Sequence, residues 1–177
     1  MPNLGRAHRL QLFIHYAAEC NQRVYLALDE RFSGPEAVLA AAKTRSAAAF
    51  SFLSDFVAKR LFEAADERFL DRYADWLTRR EIGVAIPGDE AYPAPLAEIH
   101  DPPRLLFYKG RLKRDMLLPL AVVGTRRATR YGRDIARLFA FELARRGATV
   151  VSGLAAGVDS CAALGALDCE ASEYPTV

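Results

Sequence analysis

No apolar run in this 177-residue sequence approaches the roughly 18 residues that a membrane-spanning helix needs, and the opening MPNLGRAHRL is too polar for a secretory h-region. A soluble, cytoplasmic globular chain is expected, and its 51% apolar content is enough for a real core. Cysteine is scarce: Cys20, Cys161 and Cys169 are an odd number without CxxC spacing, which argues against a disulfide framework and against a thiolate zinc site. His8, His15 and His100 form no metal pair of the HExxH kind and read as incidental. Neither a GxxxxGK[ST] phosphate loop nor a GxGxxG dinucleotide fingerprint occurs, so no nucleotide cofactor is expected. Internal repeats and low-complexity tracts are also missing.

What is present is an uneven distribution of charge. The net charge is only +2, yet residues 104–146 hold 12 Lys/Arg against 3 Asp/Glu, while residues 1–72 hold 10 against 9. A solvated basic face is the ordinary meaning of such a run. Here the run flanks a glycine turn at a helix start, where free backbone N–H groups and the helix dipole favour an anion.

The first 72 residues read as helices. Leu10, Phe13, Ile14 and Ala17 recur at helical spacing, and SGPEAVLAAA offers Ser33 as N-cap, Pro35 in the first turn and Glu36 at the positive end of the dipole. Phe52, Phe56, Leu61, Phe69, Trp76 and Leu77 extend the helical pattern and are expected in a core. The character changes near Glu81. IGVAIP and RLLFYKG are short apolar runs bounded by Pro and Gly, as buried strands are, and a short helix is expected around Leu96 between them. These shifts predict a helical N-terminal domain over residues 1–72 and a partial Rossmann-like domain over 73–177.

LAVVGTRRATRYGRDIARLFAFELARRGATVVSGLAAGVD, residues 120–159, has the length and order of a parallel βαβ crossover. Leu120–Val123 reads as a strand covered on both faces, Tyr131–Arg146 as a helix stopped by Gly147, and Thr149–Val151 as the next strand. Both strands deliver glycine-containing loops to one sheet edge, where open α/β sheets bind ligands. Arg126 stands where a dinucleotide fold would need its second glycine, and no acidic residue ends the second strand to take a ribose. Ser152 has no glycine two residues before it and no histidine after it, so it is not a nucleophile elbow. The remaining chemistry is a loop that joins backbone amides to Arg126 and Arg127, a phosphate grip that requires no catalysis.

LAVVGTRRATRYGRDIA and TVVSGLAAGVDSCAALGAL resemble the G-[ST]-R-x-x-[ST]-x-Y-G and S-G-x-A-x-G-[IV]-D loops of the bacterial DNA-processing protein A (DprA/Smf) family. GDEAYPAPLAEIHDPPRLLFYKG resembles the same family upstream, so the resemblance covers about residues 80–167. It implies a non-enzymatic protein that binds single-stranded DNA, protects it, and loads a RecA-type recombinase in natural transformation, as a homodimer and away from any membrane. Carried over by motif, Gly124, Thr125, Arg126 and Arg127 match the phosphate-gripping loop, and Ser152 and Gly153 match the second loop beneath it. The chain departs from the family at Ala156, where an arginine is frequent, and at Ala163, where a histidine is usual. DCEASEYPTV, residues 168–177, reads as acidic and unlike the family, so a truncated or frame-interrupted member is expected, with uncovered strand and helix faces and no dimer surface. Two other readings stay open. One is an enzyme on a related Rossmann fold that cleaves nucleoside monophosphates, although its P-G-G-x-G-T-x-x-E segment is missing; the other is a remnant without independent function.

Overall fold

The structure is a computed structural model that describes residues 4–112, 116, 118–172 and 175–177. It divides into two compact units, Met1–Gly110 and Arg111–Val177. The 72/73 boundary expected from composition lies inside a helix, α5, rather than between units.

The first unit opens with five helices, α1 (Arg6–Ala18), α2 (Gln22–Asp29), α3 (Pro35–Lys43), α4 (Asp55–Ala64) and α5 (Glu67–Arg79). Asn21 and Asp66 cap α2 and α5 by accepting backbone N–H bonds from Arg23 (3.1 Å) and Arg68 (2.9 Å). The cap of α3 is Gly34, not Ser33. Pro35 occupies the first helical position and disfavours helical backbone in the residue before it, and Gly34 answers with φ 143, which a side-chain-bearing residue rarely adopts. The periodic apolar residues meet as expected: Phe13, Ile14, Ala17, Val38, Phe50, Leu61 and Leu70 form one buried cluster. Phe56 and Trp76, expected in that core, are exposed. Each lies under a guanidinium instead, Arg60 at 5.4 Å from the Phe56 centroid and Arg80 at 4.2 Å from that of Trp76.

The two expected strands, β1 (Gly83–Ala85) and β2 (Leu106–Tyr108), pair antiparallel with Val84 opposite Phe107. Between them lies α6 (Ala94–Ala97), the short helix expected around Leu96. Leu12, Leu77, Val84 and Leu105 make a second small core that seats this ribbon on α1 and α5. His8 is not incidental, since its Nε2 lies 2.8 Å from Asp89 Oδ2, and Asp89 also accepts the Ile86 N–H at 2.9 Å.

The second unit is the crossover: β3 (Pro119–Ala121), α7 (Arg130–Arg145), β4 (Thr149–Val151) and α8 (Val158–Leu167). The two strands pair in parallel with Leu120 opposite Val150. Thr129 caps α7 by accepting the Gly132 N–H at 3.1 Å, and Ala136, Ala140 and Ala144 form its buried face. These alanines admit α8 very closely. A Cβ on Gly165 would stand 2.1 Å from the Arg137 carbonyl oxygen, so only glycine fits at that crossing.

Two expectations about this unit are corrected. Leu120–Val123 was expected to be covered on both faces, yet Leu120 and Val123 are exposed, Val123 by 66%. Leu120 and Val122 instead line an open groove of about 420 Å³ with Ile135, Phe139 and Leu143. The far edge of β4, expected to be bare, is paired. Val150 donates to Pro175 O (2.9 Å) and accepts from Val177 N–H (2.9 Å), and Ser152 N–H donates to Val177 O (3.0 Å). Thr176 thereby forms a parallel bridge with Val150. The three parallel segments run in the spatial order 175–177, β4, β3, the 3-2-1 order of the first half of a doubly wound sheet.

Candidate functional site

The site is built where β3 and β4 end. Asp159, in the first turn of α8, is only 6% exposed. Its Oδ1 accepts the Gly124 N–H at 3.0 Å and its Oδ2 accepts the Gly153 N–H at 3.2 Å. One carboxylate thus ties the loop after β3 to the loop after β4. Ser152 adds a second tie: its Oγ donates to Val122 O at 3.0 Å and lies 3.3 Å from Asp159 O.

Gly157 presses the second loop against the first. It sits at φ 103, and a Cβ there would stand 2.3 Å from the Thr125 carbonyl oxygen and 2.8 Å from the Arg126 backbone. Val158 N–H donates to that same Thr125 oxygen at 3.2 Å. Thr125 closes the turn itself, since its Oγ1 accepts the Arg127 N–H at 3.2 Å. The loop that carries Arg126 and Arg127 is therefore held from below by side chain and backbone together.

The structure brings all six residues singled out by sequence to this edge, with different roles. The Gly124 N–H was expected to face a ligand; Asp159 takes it, and takes the Gly153 N–H as well. The Ser152 hydroxyl faces inward, and the Thr125 hydroxyl stays within its turn. Arg126 and Arg127 are exposed, and among the described residues neither guanidinium has an ion pair or a ring partner. Arg133, on the first turn of α7, is in the same condition, and Arg130 reaches Asp134 only at 3.9 Å.

Four other arginines of the basic run are already engaged. Arg137 pairs with Asp168 through Nε at 2.8 Å and a terminal nitrogen at 2.6 Å. Arg145 and Arg146 both hold Glu142, and their hydrogen bonds keep that carboxyl below the ordinary range. Arg104, in the first unit, is bound to Asp29. Uncompensated positive charge is thus concentrated at the N-terminal end of α7, where the dipole reinforces it. Lys113 and Arg114 lie outside the described residues. Among the described residues no helix is long and apolar enough to cross a membrane, and no group of three or more His, Cys, Asp or Glu could hold a metal ion.

Asp159 organises this edge without a local signal in the sequence: it stands at a helix start, yet its partners lie 35 and 6 residues back along the chain.

A parallel half-sheet in 3-2-1 order, with arginines on a clamped strand-end loop, defines a Rossmann-like α/β protein whose ligand edge is basic. Residues 83–176 match the family of DNA recombination-mediator protein A, and the chain belongs to that family. The match runs nine residues past Leu167, so the segment 168–176, expected to be unlike the family, is part of its pattern. Protein Smf of Borreliella burgdorferi is 36% identical over 117 residues, which cover 66% of this chain and 37% of that protein. DNA processing protein DprA of Bacillus subtilis is 41% identical over 87 residues, covering 45% of this chain and 28% of that one. The chain therefore spans well under half the length of these relatives. The X-ray structure of DNA processing protein A (DprA) from Streptococcus pneumoniae shares the fold, with a TM-score of 0.56 at 22% identity over 95% of this chain and 56% of that one.

Proposed function

We propose that this chain binds single-stranded DNA through the phosphate backbone, with Arg126 and Arg127 as the principal contacts, and that it does so without catalysing a reaction. The observation that carries the reading is the pair of unpartnered guanidiniums on a loop fixed by Asp159 and Gly157. A guanidinium presents paired donors in a plane that matches two phosphate oxygens, and a loop already held in place loses little entropy on binding. Gly124, Thr125, Ser152 and Gly153 shape the site and set the height of the loop. Their amides and hydroxyls serve the protein more than the ligand. The family's DNA processing gives the reading its wider setting. In that setting the protein works in the cytoplasm during natural transformation, protecting incoming strands and passing them to a RecA-type recombinase.

Equilibrium binding to a fluorescent oligothymidylate, followed across salt concentration, tests this. Each phosphate neutralised releases counterion, so log K should fall against log salt with a slope of roughly −0.7 per contact. Affinity that stays flat from low to moderate salt would rule the phosphate mode out.

A further inference from the structure

We propose that Tyr131 is a stacking platform for an unpaired base, and that it is what makes the arginine loop prefer a single strand to a duplex. This rests on the phosphate-binding reading above and adds to it the chemistry that phosphate contacts lack. Guanidiniums meet phosphate on any nucleic acid, and a duplex offers them a denser array of charge. Only a strand whose bases are unpaired can lay a base face on an aromatic ring.

Six tyrosines lie among the described residues, and five of them are packed. Tyr25 and Tyr92 are buried, with hydroxyls at 3.4 Å from His15 Nδ1 and 2.7 Å from Pro103 O. Tyr16 and Tyr73 sit in ring contacts, and Tyr108 lies over Gly83. Tyr131 is 75% exposed and has neither a ring partner nor a hydroxyl partner among the described residues. Burial therefore does not account for this tyrosine as it does for the others.

Its placement fits a role beside the arginines. Tyr131 is the second residue of α7, within seven positions of Arg126, Arg127, Arg130 and Arg133, all of them exposed. Ala140, at the centre of the helix's buried face, lies nine residues on, which is two and a half turns at 3.6 residues per turn. Tyr131 thus stands on the side of α7 opposite its packed face. Helical side chains lean back toward the N-terminus, which directs this ring toward the 124–129 loop rather than along the helix. A strand gripped by phosphate at Arg126 and Arg127 has a base within reach of an unoccupied aromatic face. The competing role is packing: Leu138 and Phe139 on α7 are also exposed, and Tyr131 could extend that apolar surface toward a protein partner.

Binding of the full chain to three fluorescent ligands of equal length, an oligothymidylate, an abasic oligonucleotide of the same charge and a duplex, separates these roles. One stacked base is worth about 5- to 150-fold in affinity. The wild-type chain should bind oligothymidylate about tenfold more tightly than the abasic strand. Tyr131→Phe should keep that preference, whereas Tyr131→Ala should erase it and leave abasic affinity unchanged. Arg126→Ala should weaken all three ligands together. A preference that survives Tyr131→Ala, or equal binding of the abasic and thymidylate strands by the wild type, overturns the stacking role while the phosphate reading stands. Failure of the wild type to bind any of the three overturns both.

Discussion

Replacing Asp159 tests whether the arginine loop is held in place by the carboxylate beneath it. In Asp159→Ala the N–H groups of Gly124 and Gly153 lose acceptors at 3.0 and 3.2 Å. A hydrogen bond to a charged group contributes about 1.5–3 kcal/mol. The two bonds share one carboxylate whose burial is itself unfavourable, and Gly124 and Gly153 are exposed enough to regain water, so the sum lies near the low end for the pair, about 2–3 kcal/mol. Asp159→Asn should lose nearly as much. Its amide keeps one acceptor oxygen but turns an NH2 donor toward the other N–H. With a typical urea slope of about 1–3 kcal/mol/M, the unfolding midpoint should fall by about 1–2 M. DNA binding gives the sharper sign. Deleting a negative charge near the arginines should strengthen binding if only electrostatics mattered, whereas release of the loop should weaken it. A midpoint within 0.3 M of wild type together with tighter DNA binding would refute the clamp.

Other expected outcomes follow from the same geometry. Gly157→Ala should destabilise the second unit by about 2 kcal/mol or more, because it combines a forbidden φ of 103 with a 2.3 Å clash against Thr125 O; thermal melts give the size, and a wild-type melting temperature would contradict it. His15 is held below its ordinary pKa of about 6.5 by burial, with the Arg60 charge acting the same way and Glu19 opposing. The unfolded chain therefore binds more protons than the native one between that lowered value and 6.5, so stability should rise with pH through this window and level off above it. Urea midpoints at pH 5 and 7.5 should differ by less in His15→Gln than in wild type. Hydrogen exchange should find the Val150, Ser152 and Val177 amides protected by their cross-strand bonds, and exchange as fast as in a free peptide at all three would deny the third segment of the sheet.

The parts of the fold legible in the sequence are those specified locally. Apolar spacing over residues 131–146 and a glycine stop mark α7 to within one residue of its observed bounds, Arg130–Arg145, without reference to anything distant, while its Thr129 cap came from the structure. Position-by-position burial was less legible because it depends on neighbours. A run such as Leu120–Val123 reads as buried on its own, yet exposure follows from what lies beside β3 in space. The bridge formed by 175–177 gave almost no local signal: three residues that begin with proline and follow an acidic stretch pair with β4 around Val150, about 25 residues back. The candidate site divides in the same way. Gly124, Arg126 and Ser152 were visible as residue types at strand ends, whereas the route of the Gly124 and Gly153 N–H bonds to Asp159 was a long-range fact. That route changes the chemistry of the edge from a cradle of free amides to a clamped arginine loop.

The central claim is that DNA affinity belongs to this loop and not to basic charge in general, and Arg137 supplies the control, since Asp168 already holds it in an exposed pair of small energetic value. Oligothymidylate binding by Arg126→Ala and Arg137→Ala, compared at one low salt concentration with circular dichroism confirming the fold of both, measures the difference. The account predicts that Arg126→Ala weakens binding by about 10- to 100-fold, from a charged hydrogen bond worth about 1.5–3 kcal/mol, while Arg137→Ala changes it by less than about threefold. Equal losses from the two substitutions would show that diffuse charge along α7 carries the affinity and would contradict the account.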